Sequence, residues 1–179
     1  MIDPVIELSL RLALVLLFIV AAWHKVSDRF RFGATLRAYQ LLPPWLLAPF
    51  AWLLPMAEAS IALGLVVSST RNAAAFGAGA LLFVYAGAIA VNLARGRREI
   101  DCGCFASSAR VPLSNWLVAR NAILIVAVCV LVMPVRPRAL VWVDALTIAT
   151  AVITLSLLWA AGQRLANTGP ALRRVGGTP

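Results

Sequence analysis

The chain has 179 residues, 62% of them hydrophobic and 13% charged, and a net charge of +9. That is too apolar for a water-soluble domain and too long for a single anchor. The basic excess suits the loops of a membrane protein, and no basic motif interleaved with aromatics points to nucleic acid.

Five stretches approach the roughly 20 apolar residues that cross a bilayer. They cover residues 4–23, 45–67, 73–93, 116–133 and 139–162. In lipid each backbone group must bond within its own segment, so all five are predicted to be helices. The first begins with Asp3 and Glu7, lacks a basic leader region and runs into Trp23-His24-Lys25, so it reads as a span rather than a signal peptide. His24 reads as an interfacial side chain beside Lys25, with a ligand or proton-relay role as the alternative. Residues 30–42 read as an interfacial amphipathic segment. The second span could be broken, because Pro49 and Pro55 each remove a donor. The third carries Gly77, Gly79 and Gly87, which would let helices approach closely. The fold class is therefore all-α, a polytopic bundle over residues 1–163, followed by a flexible basic tail over 164–179.

Charges inside the spans need partners, since each costs roughly 2.5–3.5 kcal/mol even on the lenient insertion scale. Arg11 and Glu58 both count to roughly 10–14 Å below the same face, at about 1.5 Å per residue. An Arg11–Glu58 pair is geometrically possible there, with Glu7 one turn from Arg11 and Asp144 entering from the same side. These groups either fix helix register or form a polar pocket for a quinone-like or redox ligand. Arg120 and Asn121 enter from the opposite face.

The loop 94–115 holds the one wet, reactive stretch, "EIDCGCFASS" at 99–108. Cys102 and Cys104 flank Gly103, whose freedom lets them approach the Cα separation of roughly 4.4–6.8 Å that a disulfide needs. So short a ring would be strained and exchangeable. Arg97, Arg98 and Arg110 favour a thiolate, while Glu99 and Asp101 oppose it. Three readings stay open: a redox dithiol, a soft-metal site for Cu(I) or Hg(II), and a reduced structural pair. No zinc site is expected, because zinc wants four ligands and only His24 offers a third. Cys129, deep in the fourth span, reads as small apolar packing. One thiol pair can be only half of a relay. A redox role would need a partner's cysteines and a non-protein carrier such as a quinone.

Lys and Arg are divided 11 to 3 between the two sides, with Arg11 and Arg120 inside spans. The positive-inside rule puts the cysteine loop in the cytoplasm. Stable disulfide chemistry belongs outside it. The reading adopted here is a multi-pass protein of the cytoplasmic membrane with the loop on the extracytoplasmic face.

The chain resembles the methylamine utilisation MauE family, within the MauE/DoxX group of redox-associated membrane proteins. The resemblance runs over roughly residues 8–130. It is carried by Arg11, "AAWHKVSD" (21–28), "LRAYQLLP" (36–43), "PMAE" (55–58), "NLARGRREIDCGCF" (92–105) and "LSNWLVARN" (113–121). Ala106 departs from the family, where Gly follows Cys-Gly-Cys-Phe. The arrangement is also similar to the four-helix core of vitamin K epoxide reductase, without that enzyme's second cysteine pair. The resemblance implies thiol–disulfide exchange by Cys102 and Cys104 with a thioredoxin-like partner. The beneficiary would be a disulfide-containing client outside the cytoplasm, such as the small subunit of methylamine dehydrogenase. Arg95, Arg97, Arg98 and Arg110 would tune the thiolate or dock the partner. Lys25, Arg120 and Asn121 would support the loop from below. The other class of reading is a non-catalytic membrane subunit or soft-metal carrier.

Overall fold

Asp3 starts the first helix by accepting a hydrogen bond from Val5 N at 2.9 Å, with Pro4 in the first turn where its missing N–H costs nothing. This helix, α1, spans Pro4–Ser27. Asp28 ends it and at once caps α2 (Arg29–Tyr39), accepting from Arg31 N at 3.0 Å. The chain continues as α3 (Pro44–Val66), α4 (Arg71–Ala94), α5 (Asn115–Leu131) and α6 (Trp142–Val175). The computed structural model describes the backbone of residues 1–100 and 113–175, and the side chains of 1–100 and 113–162. Among the described residues there is no strand, only a single bridge between Ile2 and Val135.

The architecture is an all-helical membrane bundle. α1, α3, α4 and α6 contain stretches long and apolar enough to span, and α5 is an apolar helix of 17 residues. α1 packs on α3, α5 and α6, and α4 packs on α3 and α5, so α1, α3, α4 and α5 form the core. α6 lies outside, its Ile153, Leu157 and Leu158 exposed. Those apolar outer faces, with charges held inside, are the pattern a lipid solvent demands. The core is built by Leu14, Val15, Phe18, Ala62, Leu65, Ala75, Ala78, Leu82, Val128 and Leu131.

Several expectations change. α3 is continuous through Pro49 and Pro55; neighbouring helices in a bundle tolerate the lost bonds. Among the described glycines the closest approach is at Gly64, where an added Cβ would stand 2.9 Å from Ala74 Cβ, whereas one at Gly87 would meet nothing within 4 Å. Cys129 is exposed on α5 rather than packed inside. α6 carries on through Val175 where a flexible tail from 164 was expected. Gln163–Ala166 and Ala171–Arg174 are mostly good helix formers. The amphipathic segment appears as α2, which buries Phe32 and Thr35 and sets Arg29 over the Trp52 ring of α3 at 3.7 Å.

The end of α4 launches the cysteine segment. Gly96 takes φ +74°, its N–H donates to Leu93 O, and Arg97 N–H donates to Asn92 O, both at 3.0 Å. These two bonds make a Schellman ending, which wants glycine at the left-handed position. Beyond that segment, Leu113 N–H donates to Arg98 O at 3.0 Å and to Ile100 O at 3.2 Å. Both ends of the segment 101–112 are thus tied together.

Two predictions follow from these ends. Gly96→Ala forces an L side chain into the left-handed region and should cost about 1–2 kcal/mol in detergent unfolding. Gly96→Asn should cost less. At the opposite end of the bundle, Arg138 bonds Asp3 at 3.1 and 3.2 Å. That bond, helped by Val5 N–H, holds the Asp3 carboxyl below its usual value, and Asp144 first, then Asp3, raise Arg138. A depressed carboxylate contributes stability above its unfolded value and loses it as pH falls through its folded value. Thermal melts should therefore decline with acid below about pH 4, and Asp3→Asn should flatten part of that decline.

Candidate functional site

The second half of α1, the middle of α3 and α4 and the first turns of α5 enclose a polar cluster in the bundle core. Lys25 Nζ donates to Glu58 Oε1 at 2.5 Å, with the two side chains only 4% and 1% exposed. Tyr85 OH donates to the same oxygen at 2.9 Å. Lys25 also lies 5.6 Å from the Phe32 ring centre and 5.4 Å from that of Tyr85. Across a cavity of about 30 Å³ stand Arg120, Asn121 and Trp159. That is room for one or two waters. Arg120 sits 4.9 Å from the Trp159 ring centre. It is 6% exposed, and its Nε and Nη1 have no hydrogen-bond partner among the described residues. Asn121 donates to Leu117 O at 2.8 Å.

Two cations thus face one carboxylate in a low-dielectric core. Lys25 and Glu58 compensate one another, while Arg120 has an aromatic face and unused donors. The arrangement can hold a hydrogen-bond acceptor against Arg120.

The expected Arg11–Glu58–Asp144 pocket does not form; its members separate. Arg11 pairs with Glu7 at 3.5 Å, one turn away as expected, and Arg71 reaches the same Glu7 oxygen at 3.3 Å. Asp144 takes Arg138 on both oxygens, at 2.8 and 2.9 Å. The reason is register. Leu65, near the end of α3, shares a core cluster with Leu14 and Val15 rather than with the start of α1. Glu58 therefore falls beside Phe18, Ala21 and Lys25. From Arg11 to Lys25 is roughly 21 Å along the helix. Equal-depth counting failed because α1 and α3 do not start and stop together.

Lys25, Arg120 and Asn121, expected on one side, do line a single cavity, and Glu58 joins them. Tyr85 and Trp159 were missed; a lone tyrosine or tryptophan in an apolar span carries no distinguishing signal in sequence. Arg95 and Arg98 are exposed, and Arg97 donates to Gln40 Oε1 at the end of α2. Asp101, Cys102, Gly103, Cys104 and Arg110 lie outside the described residues. Their anchors do not. Ile100 and Leu113 pack with Ile89, Leu117, Tyr39, Leu93 and Val118 at the same end of the bundle as Lys25.

The family model described as methylamine utilisation protein MauE matches residues 3–134. The chain belongs to this family. The match takes in α1 to α5 and the cysteine segment, and stops before α6. A methylamine utilization protein MauE of Paracoccus denitrificans is 42% identical over 124 residues, covering 69% of this chain and 67% of that one. Its counterpart in Methylorubrum extorquens is 40% identical over 161 residues, 89% of this chain and 87% of that one. The Methylophilus methylotrophus protein of the same name is 36% identical over 164 residues, 90% and 86% of the two chains. No solved structure matches.

A thermodynamic cycle tests the cluster. Lys25→Met leaves Glu58 buried without its ammonium and should cost about 3–5 kcal/mol. Lys25→Met with Glu58→Gln removes both charges and should recover most of that loss. Denaturant unfolding in detergent of the two singles and the double reads the coupling.

Proposed function

We propose that the protein is a membrane thiol–disulfide redox protein whose Cys102–Cys104 pair exchanges with a thioredoxin-like partner. It would support disulfide formation in an extracytoplasmic client, of the methylamine dehydrogenase kind, and so serve methylamine utilisation. The observation that carries this reading is the clamp on the cysteine segment. Leu113 N–H ties the segment's two flanks together, and those flanks rest on the apolar cluster at the end of the bundle that also holds the buried cations. A pair built only to pack would not need a held loop at a polar end. The family match and the name its relatives bear support the pathway.

The exchange balances without further chemistry. A client dithiol gives two electrons and two protons to the Cys102–Cys104 disulfide, closing its own S–S bond and leaving two thiols here. The pair must then be reoxidised. With Cys129 alone on the outer face of α5, no second pair in this chain can do it.

Trapping tests the reading, in a Cys129→Ala background so that only the pair reports. Cys102→Ser or Cys104→Ser should accumulate a mixed disulfide with a thioredoxin-like protein, seen on a non-reducing gel and lost with dithiothreitol. Full support of growth on methylamine by both variants would sink the redox reading. An impermeant maleimide on intact cells should label the pair from outside; labelling only after permeabilisation would overturn the extracytoplasmic placement.

A further inference from the structure

The charges in the bundle core do not cancel. Lys25 and Arg120 are 4% and 6% exposed, and Glu58, which lines the same cavity, is 1% exposed. Among the described residues around that cavity no other side chain is charged. Two cations against one carboxylate leave a positive charge over, in a core walled by apolar helices. Lys25 bonds Glu58 directly, so the excess falls on Arg120. A buried charge without a counter-charge is strongly unfavourable in a low-dielectric interior.

The unused donors lie at the same place. Arg120 Nε and Nη1 are buried and have no hydrogen-bond partner among the described residues, and neither has the indole Nε1 of Trp159. The two side chains are neighbours, with the guanidinium carbon 4.9 Å from the ring centre, and both line the cavity of about 30 Å³. A cation–π contact stabilises the guanidinium but satisfies none of its N–H groups. Three buried donors and an uncompensated positive charge call for an acceptor that is itself negative. Size narrows the choice, because the space holds only one or two waters. Sulfate and phosphate are too large for it. Water fits and accepts hydrogen bonds but leaves the charge uncompensated. A halide ion is little larger than a water and supplies both.

We propose that this cavity binds one chloride ion, held by the N–H groups of Arg120 and Trp159. The inference is independent of the thiol chemistry and involves no covalent or redox step. Its consequence is architectural. Arg120 comes from α5 and Trp159 from α6, which lies outside the core. An ion shared by the two joins α6 to the bundle at this end, as Arg138 joins it at the other through Asp3 and Asp144. Glu58 acts in the opposite sense. Its carboxylate lines the same cavity and repels the ion, so its charge weakens binding.

The test dialyses full-length protein, purified in detergent with gluconate as the only anion, against radiolabelled chloride at fixed ionic strength. A single ion per chain should bind saturably and be displaced by bromide but not by sulfate. Chloride should also raise the melting temperature above that in gluconate, by mass action. Arg120→Gln should lower the affinity about tenfold or more, and Trp159→Phe about three- to tenfold. Glu58→Gln should raise it about tenfold. Lys25→Met with Glu58→Gln removes one charge of each sign, keeps the excess on Arg120, and should bind within about threefold of the original. Trp159→Phe and this double variant both retain Arg120, so they report even where Arg120→Gln does not fold. Absence of saturable binding means that water alone fills the cavity and overturns the proposal. Binding unmoved by Trp159→Phe, or displaced by sulfate as readily as by bromide, lies elsewhere and overturns it too. Loss of binding in a folded double variant overturns the charge argument and the site with it.

Discussion

Everything at this end of the bundle depends on placing an ammonium and a carboxylate together in the core, out of reach of bulk water. Lys25 and Glu58 are each almost wholly buried. Either alone would cost several kcal/mol, so α1 and α3 are held in the one register that joins them. Once that register is set, Tyr85 of α4 meets the same carboxylate oxygen, and Arg120 of α5 faces the same cavity. Four helices converge on one point. The pair acts as a register key as much as a source of stability, since an apolar pair of equal volume would slide at little cost.

The two ends of the bundle treat their charges differently. At one end two sets of ion pairs form, Glu7 with Arg11 and Arg71, and Arg138 with Asp3 and Asp144. Ile2 is bridged to Val135, and Ile2 O accepts from Arg136 N–H at 2.9 Å. That end reads as a clasp, holding the start of α1 to the approach of α6. At the other end the cations outnumber the carboxylate, and Arg120 keeps two N–H groups unused among the described residues. Satisfied networks rigidify; incompletely satisfied ones in a core mark where something else is meant to bind. The two ends also differ in burial: Arg138 and Asp3 are about 40% exposed, whereas Lys25 and Glu58 are almost wholly buried.

The sequence showed the helices clearly because lipid imposes a composition that needs no alignment to read. It showed less of how they meet. Arg11 and Glu58 were matched by counting residues from a shared face, which assumes helices that begin at equal depth. α2 breaks that assumption by inserting an 11-residue helix between α1 and α3. Lys25 was legible as belonging with Arg120 and Asn121 because all three sit near one membrane face in their spans. Tyr85 was not, since its hydroxyl looks like any other until a carboxylate stands opposite. Pro49 and Pro55 looked like breaks and are not, because tertiary neighbours override local propensity. Gly96 was part of a recognisable string, "NLARGRREIDCGCF", without a stated cause. The Schellman bonds from Gly96 and Arg97 supply one: the glycine turns the chain so that the cysteine segment leaves α4 and returns to α5 at a fixed point.

That fixed point shapes what the thiol pair can do. A twelve-residue excursion whose ends are hydrogen-bonded to each other has already lost much of the entropy of loop closure, so presenting its cysteines to a partner costs less than for a free loop. The anchors do a second thing. Ile89 and Tyr39 belong both to the cluster that holds the flanks and to the wall of an apolar cavity between α2, α3 and α4 that Lys25 also lines. A change at the loop therefore has a short packed route to the cavity, and from there to Lys25 and Glu58.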